Sequence, residues 1–276
     1  FLTLSVSREE KEVEETSLQR LNRFSSGKPG REHKAIFSAK SVSLPVEALL
    51  NSAKGIGNVQ FAPDGDGIYR RLPLLFSYQN FLLPSLPLAV AEFLGKERLE
   101  FRQGGDVFFK GEKIPFDKSG QMLIHYYGPR GTYKSYSIAA IINSWALIEE
   151  GEPPQIPPSE FAGKTVLVSG SASGLLDLRP TPFSPVCPGI EIQANVIDNL
   201  LTGDFIHLPA RGIHLLLLLL FALITGIGVS CFQRLWKVIL FSILCLVLPA
   251  GAASLAFLSG YWLDFVAPES AIILSF

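Results

Sequence analysis

Two long apolar stretches near the C-terminus restrict the fold of this chain more than any other feature. They are Ile213–Phe232 and Val238–Leu258, and neither contains an Asp, Glu, Lys or Arg residue. Each has about the 20 residues that an α-helix needs to cross a hydrocarbon core of about 30 Å. Core helices of a soluble protein are the alternative, but such helices seldom run this far without a charge. The sequence therefore predicts membrane-spanning helices over 213–232 and 238–258, after a polar domain over 1–206.

Both ends of the sequence indicate a longer protein. Residues 265–276 are again largely apolar and predict the start of a third membrane-spanning helix. The chain begins with the strand-like run Phe1–Val6, without an initiating Met or a signal sequence. We therefore expect further chain before Phe1 and after Phe276.

The charges beside the apolar stretches predict their orientation. The short loop between them contains Arg234 and Lys237, whereas the loop after the second stretch contains Asp264 and no cation. Short loops rich in Lys and Arg tend to stay in the cytoplasm. Arg211, before the first stretch, opposes this bias only weakly. The sequence therefore predicts that the domain over 1–206 lies outside the cytoplasm.

The charge balance and the cysteines exclude several classes of function. The 24 Lys and Arg residues are balanced by 25 Asp and Glu residues, so no basic surface for nucleic acid is expected. Cys231 and Cys245 lie in the apolar stretches and only Cys187 lies in the polar domain, which therefore has no internal disulfide. No Cys or His spacing typical of zinc ligands occurs. We predict no metal, no cofactor and no nucleic-acid partner.

The polar domain alternates predicted helices with predicted strands. Apolar periodicity and capping residues predict helices over 7–24, 45–53, 85–94, 137–150 and 189–202. Short runs of β-branched and aromatic residues predict strands over 56–61, 69–77, 99–101, 107–109, 114–116, 122–127 and 164–169. Such alternation is typical of α/β domains. The predicted fold class is an α/β domain with a mixed sheet, followed by transmembrane α-helices.

A loop of small residues after the last predicted strand is the candidate ligand site. In open α/β sheets ligands bind where strands end, and loop N–H groups there favour anions. Asp177 would instead suit a hydroxyl- or amine-bearing ligand, and a tight loop without a ligand is a further alternative. No catalytic residue is predicted; a membrane-anchored extracytoplasmic enzyme, the competing hypothesis, needs a polar triad near Asp177 and Thr181. The predicted ligand-binding residues are Ser169, Gly170, Ser171, Gly174, Asp177 and Thr181.

Asp66, Arg70 and Arg71 are predicted to have structural roles. They belong to the turn Pro63–Gly67 and the strand after it. The turn resembles a calcium-binding loop, but Leu75 stands where such a loop needs its bidentate Glu. Alternation along a strand would place Arg70 and Arg71 on opposite faces, and an inward Arg would need a carboxylate partner.

Five segments in a fixed order resemble a known family. Together with the apolar stretches behind them, they resemble the type-two CHASE domain over about residues 45–276. In the last segment Asn195 is predicted to be structural, and Gln193 stands where the family usually has His, which argues against catalysis at that position. The segments are Gly57-Asn58 with Pro63–Leu74, Leu83–Leu86 with Ala89 and Ala91, Leu123–Pro129, Phe161–Val168 with Asp177, Thr181 and Pro182, and Pro188–Leu201.

The resemblance implies an extracytoplasmic sensory module of a bacterial receptor. It implies a multi-pass inner-membrane protein whose sensory domain lies in the periplasm or outside the cell, with the N-terminal part of the module before Phe1. The implied partners are the membrane, a second copy of the chain in a homodimer, and a small-molecule or environmental signal. The usual output domains are class III adenylate or guanylate cyclases, histidine kinases and Ser/Thr kinases, and three spans after the sensor favour a cyclase.

Overall fold

Helices and short strands alternate along the chain in the computed structural model, which describes residues 1–7, 21–26, 37–102, 105–170, 177–209, 211–232 and 234–263. Most of the predicted helix over 7–24 lies outside the described residues. The helices are α1 (Glu47–Ser52), α2 (Leu86–Gly95), α3 (Ile138–Glu149), α4 (Gly189–Thr202), α5 (Arg211–Cys231) and α6 (Leu235–Leu258), with single 3-10 turns at Asn22–Phe24 and Pro158–Glu160. The strands are β1 (Leu2–Ser7), β2 (Phe37–Ser38), β3 (Ser41–Ser43), β4 (Ile56–Asn58), β5 (Arg71–Pro73), β6 (Leu75–Tyr78), β7 (Phe81–Pro84), β8 (Glu100–Phe101), β9 (Val107–Phe109), β10 (Glu112–Lys113), β11 (Gln121–Leu123), β12 (Leu178–Thr181) and β13 (Ser184–Pro188).

The strands form several small sheets of mixed direction. β1 runs parallel to β4 and antiparallel to β3, and β6 lies between parallel β2 and antiparallel β7. β5 pairs with β11, β9 lies between β8 and β10, and β12 pairs with β13. The predicted mixed α/β domain is thus confirmed, although the turn Pro63–Gly67 connects two different sheets and closes no hairpin.

Among the described residues, the two larger apolar cores provide most of the buried apolar surface of the domain. The larger core contains residues of β5–β7, β11 and one face of α4, whose Ile192, Val196 and Leu200 are almost completely buried. The smaller core surrounds β1 and β4 and includes Leu4 and Ile56. Burial of one large apolar side chain contributes about 1.5–3 kcal/mol, so these cores are the main source of the domain's stability.

Helix α2 packs against both α4 and β4. Ser85 caps it as predicted, since its hydroxyl accepts a hydrogen bond from the Leu88 N–H at 3.4 Å. Leu86 and Val90 on α2 contact Ile197 on α4. Helices α2 and α4 therefore form one packed unit.

Residues 164–169 do not form the predicted buried strand. They are irregular, no described strand pairs with them, and Val166 and Val168 have exposed fractions of 53% and 78%. Leu167 is the residue of this segment that packs against the contact between α2 and α4. An apolar β-branched run predicts a strand from propensity, but a strand also needs partners for its N–H and C=O groups. Without such a partner among the described residues, the segment runs along the surface.

The predicted helix over 137–150 is present as α3, but much of its apolar side faces solvent. Ile138 and Trp145 have exposed fractions of 60% and 62%. The buried residue of the helix is Ser144, whose hydroxyl accepts a hydrogen bond from the Ile156 N–H at 3.0 Å. Polar contacts therefore hold α3 in place where a buried apolar face usually does so.

A cluster of three polar side chains ties the two ends of the α3 segment together. Lys134 and Tyr136, before α3, donate hydrogen bonds of 2.6 and 2.5 Å to the carboxylate of Glu160, which follows α3. The Lys134 ammonium, and after it the Tyr136 hydroxyl, lowers the pKa of the Glu160 carboxyl to about 2 from its ordinary 4.5. The ionised form of Glu160 therefore holds the residues before α3 and those after it together.

Acidification is expected to open this segment between pH 4.5 and about pH 2. Because the folded-state pKa of Glu160 is lowered, its contribution to stability is complete above pH 4.5 and is lost as the pH falls through this window. Hydrogen exchange of α3, corrected for the intrinsic rate, should then accelerate. Glu160→Gln should show the fast exchange already at pH 7, whereas Glu149→Gln, at an exposed position of α3, should not. Equal protection of α3 in Glu160→Gln and the unsubstituted chain at pH 7 would contradict the prediction.

Helices α5 and α6, which follow the polar domain in the chain, form an antiparallel hairpin. The Phe232 and Phe241 rings lie 5.4 Å apart near its turn. By length and composition α6 is able to cross a membrane, with a mean hydropathy of 2.4, and α5 contains a shorter apolar stretch. The predicted spans over 213–232 and 238–258 fall on these two helices, and the predicted third span over 265–276 lies outside the described residues.

Candidate functional site

The linker between α4 and α5 is hydrogen-bonded to the loop that follows α6. The His207 N–H donates to the Gly260 carbonyl at 2.7 Å, and the Trp262 N–H donates to the His207 carbonyl at 2.9 Å. His207 and Tyr261 thus form a parallel bridge, and the centroids of their rings lie 5.5 Å apart. The polar domain therefore contacts the apolar hairpin at the end of α6 as well as through its covalent link to α5.

The linker itself is anchored in the domain. Gly203 ends α4 in the left-handed region, with φ 73°, and its N–H donates to the Asn199 carbonyl at 2.9 Å. Phe205 and Ile206, which follow, are buried. Only a few residues then separate this buried anchor from the start of α5, so a displacement of α4 reaches α5 through a short segment.

His125 makes a second contact between the domain and α6. Its Nδ1 atom lies 3.0 Å from the Asp204 carboxylate, and the centroid of its ring lies 6.1 Å from that of Phe257. The distance to Asp204 is that of an ion pair when the imidazole is protonated, although the geometry is not that of a hydrogen bond. No local sequence pattern marks His125, because both partners are distant in the chain.

The polar face of α4 holds the segment that contains His125. Asn199 accepts a hydrogen bond from the His125 N–H at 2.9 Å and donates one to the His125 carbonyl at 3.0 Å. One helical turn earlier, Asn195 accepts a hydrogen bond from the Tyr127 N–H at 3.0 Å. The two amides thus bond alternate residues of the segment, as a neighbouring strand does in a sheet.

The start of α4 continues this polar face. Asn195, predicted to be structural, is buried and also donates a hydrogen bond of 2.8 Å to the Glu191 carbonyl. The Glu191 carboxylate accepts one of 2.9 Å from the Gly131 N–H. Gln193 is buried as well, and its amide nitrogen lies 3.4 Å from the Val59 carbonyl. Polar side chains of α4 therefore form hydrogen bonds on two sides of the helix, with the segment that contains Gly131 on one side and with Val59 on the other.

Arg70 and Arg71 share one carboxylate and do not lie on opposite faces. Their Nη1 atoms lie 3.3 and 2.6 Å from the Asp64 carboxylate. Arg70 also bonds Asp66 at 2.9 Å, which lowers the pKa of that carboxyl, and Arg71 lies 3.4 Å from Asp117. The prediction of opposite faces was wrong because β5 begins only at Arg71, so Arg70 precedes the strand and strand alternation does not apply to it. Both arginines have the carboxylate partners that a structural role requires.

Two of the predicted ligand-binding residues lie together. The Ser169 hydroxyl donates a hydrogen bond of 3.3 Å to the Asp177 carboxylate, and Arg179 Nε lies 3.7 Å from the same group. The Asp177 carbonyl accepts a hydrogen bond of 2.8 Å from the N–H of Gly189, the first residue of α4. Within the described residues, the side-chain bonds and ion pairs of Asp177 thus come from Ser and Arg and include no His of the kind that a catalytic triad needs.

The other predicted ligand-binding residues give no further evidence for or against a ligand site. Thr181 is buried, and its hydroxyl exchanges hydrogen bonds of 3.2 and 3.1 Å with the backbone of Ser184 across the turn between β12 and β13. Gly170 is exposed, and Ser171 and Gly174 lie outside the described residues. A ligand site at this loop stays a prediction.

An open cavity of about 290 Å³ lies in another part of the domain. It is bounded by the starts of β1 and β4 and by the C-terminal end of α2, with Phe1, Ile56 and Phe93 among its walls. None of the predicted ligand-binding residues that the structure describes lines it. No sequence motif marks this cavity, because its walls come from segments that are far apart in the chain.

Comparison with known families identifies the domain. A family model described as the CHASE2 domain matches residues 7–228, which include nearly all of the polar domain and most of α5. The resemblance drawn from the five sequence segments is thereby confirmed, and the match begins well before residue 45. No curated protein and no solved structure matches the chain.

Proposed function

The chain belongs to the CHASE2 domain family of extracellular sensory domains in signalling receptors, and we propose that it is the sensory input region of a bacterial transmembrane receptor. In this proposal the domain over 1–206 detects a small molecule or an environmental signal, and α5 and α6 carry the response through the inner membrane. The observation that carries the proposal is the pair of backbone hydrogen bonds between His207 and the loop after α6.

A sensor has to pass a change in its own fold to its membrane helices. The domain is connected to the α5–α6 hairpin in three places. It is joined covalently to the start of α5, His207 is hydrogen-bonded to Gly260 and Trp262 after α6, and His125 lies beside Phe257 in α6. A ligand that favours one arrangement of the domain shifts the population of receptors toward it. The covalent link to α5, together with the contacts with α6 and the loop after it, allows such a shift to change how α5 and α6 pack.

The membrane topology is part of the same proposal. The turn of the hairpin carries Arg234 and Lys237 and lies at the end opposite to the polar domain, so the positive-inside tendency supports a domain outside the cytoplasm. Tyr261 and Trp262 lie at the domain end, and such aromatic residues favour the membrane–water interface. The charges and the geometry of the hairpin thus favour the same orientation.

We also propose the output and the assembly by analogy with the family. A class III adenylate or guanylate cyclase in a homodimer is the proposed output, and a histidine kinase or a Ser/Thr kinase is the alternative. Because members of the family are sensory and non-catalytic domains, an enzymatic activity of the polar domain itself is not proposed.

A disulfide between positions 207 and 261 tests the proposal. Neighbouring strands lie about 4.8 Å apart, which is within the Cα separations that a disulfide spans, so His207→Cys combined with Tyr261→Cys should cross-link. The bond should form in intact bacterial cells without added oxidant, because the oxidising compartment lies outside the cytoplasm. In the full receptor, cyclic nucleotide formation should change on cross-linking and recover after reduction with dithiothreitol.

Two controls accompany this experiment. Each single-cysteine variant should leave the output insensitive to dithiothreitol. Lys237→Cys, at the opposite end of α6, should react with a membrane-impermeant maleimide only after the cells are permeabilised. Ready labelling of Lys237→Cys in intact cells, or a cysteine pair that stays reduced, would overturn the topology and the sensory proposal with it.

A further inference from the structure

We propose that the cavity between β1, β4 and the C-terminal end of α2 binds a small organic anion with an apolar body. This inference rests on the proposed sensory function and names the chemical class of the signal. It assigns the site to a part of the domain other than the loop over residues 169–177. Three properties of the cavity carry it: its apolar walls, its excess of cations and its position on α2.

The walls of the cavity are suited to an apolar or aromatic group. Phe1 and Phe93 meet edge to face, with ring centroids 5.3 Å apart, and both line the cavity. Ile56, Pro84 and Ala89 also line it and are buried, so they close it toward the core. The volume of about 290 Å³ is at the lower limit of the roughly 300–1,000 Å³ that ligand pockets have, and this indicates a small ligand.

Cations outnumber carboxylates around the opening. Lys54 and Lys96 line it, are exposed, and form no ion pair with any carboxylate of the described residues, whereas Arg98, which is also exposed and in the lining, attracts the Glu92 carboxylate. The Lys54 Nζ atom lies 5.7 Å from the centre of the Phe93 ring. A fourth cation, Arg23, already donates to backbone carbonyls. Two cations that have no carboxylate partner among the described residues, beside an apolar cavity, favour an anionic ligand, which can accept charge-assisted hydrogen bonds from them.

The carboxylates of the cavity do not cancel this excess. Glu92 uses one carboxylate oxygen to accept a hydrogen bond of 3.0 Å from the Leu99 N–H, and burial raises the pKa of its carboxyl. Glu97 is the other acidic residue in the lining, and it is exposed. An amine bound by the aromatic rings and these two groups is the alternative ligand against which the anion is tested.

The position of the cavity connects it to the hairpin. Phe93 lies in the last turn of α2 and Lys96 is its C-cap, and α2 packs through Leu86 and Val90 against Ile197 on α4. Helix α4 leads through the short anchored linker to α5. A ligand that moves the end of α2 therefore acts on the helix next to the membrane segment.

Benzoate and benzylamine form a pair of probes that separates the two charges. They share an aromatic ring and differ in the sign of the charge, and each is radiolabelled for equilibrium binding to the full chain in lipid nanodiscs. Benzoate should bind saturably, and benzylamine should neither bind nor compete. Lys54→Gln and Lys96→Gln should each weaken benzoate binding by at least about tenfold, because each removes a charged hydrogen-bond donor. Lys118→Gln removes an equally exposed charge away from the cavity and should leave the affinity unchanged.

Three results would overturn the inference: no saturable benzoate binding, tighter binding of benzylamine, or unchanged benzoate affinity in both Lys54→Gln and Lys96→Gln. The disulfide between positions 207 and 261 is measured in the same samples and requires no ligand. A cross-link that forms while benzoate fails to bind rejects the anion site and retains the sensory proposal. A missing cross-link rejects the sensory proposal whatever the probes do.

Discussion

Gly57→Ala is expected to lower the free energy of unfolding by about 3 kcal/mol, because the added methyl group would overlap backbone atoms of α2. Gly57 lies in β4 opposite Thr3 of β1, and the N-terminus of α2 packs directly on it. A Cβ atom at this position would lie 2.5 Å from the Leu86 nitrogen and 2.7 Å from the Ser85 carbonyl carbon. These are backbone atoms, which no side-chain rotation can move away, so either α2 or β4 has to shift.

The measurement is thermal unfolding of the purified chain in detergent. For a domain of this size the loss should lower the midpoint by about 6–12 °C. Gly65→Ala is the matched control, because Gly65 is exposed and a Cβ atom there meets nothing within 4 Å. That control should change the stability by no more than about 0.5 kcal/mol. Equal midpoints for Gly57→Ala and Gly65→Ala would show that the N-terminus of α2 does not pack closely against Gly57 in β4.

Elements with complete local signals could be predicted from the sequence. Helix α4 spans Gly189–Thr202, the same range that its apolar periodicity predicts, since Pro188 precedes it and Gly203 ends it. The Ser85 cap of α2 is a local signal of the same kind. Strands β12 and β13 escaped prediction, because Pro180 and Pro185 remove backbone donors and so argue against a strand.

Features that depend on distant partners could not be predicted. The run over 164–169 has the composition of a strand, but whether a strand forms depends on a partner that the run itself does not specify. His125 contacts Asp204 and Phe257, and nothing in the residues around it indicates either. The candidate cavity likewise joins side chains of the starts of β1 and β4 with those of α2. Propensity and periodicity describe one segment at a time, so they do not identify sites that several segments form together.

Asn199→Ala is expected to lower the free energy of unfolding by about 3 kcal/mol and to uncouple the domain from α6. The Asn199 side chain is fully buried and bonds both the N–H and the carbonyl of His125. Alanine would leave both backbone groups unpaired in a partly buried position, and each such loss costs about 1–3 kcal/mol. The His125 ring would also lose its fixed position beside Phe257.

Asn143→Ala provides the control, because Asn143 is an exposed helical residue of α3 and alanine is the better helix former. Its midpoint of thermal unfolding should stay within about 2 °C of the unsubstituted chain. Asn199→Ala should also slow formation of the disulfide between positions 207 and 261, which a loss of stability confined to a remote part of the domain would not do. If its midpoint falls while cross-linking keeps its rate, Asn199 supports the fold without controlling the junction. If neither changes, the polar face of α4 does not hold the segment as described, and the route from α4 through His125 to α6 has to be abandoned.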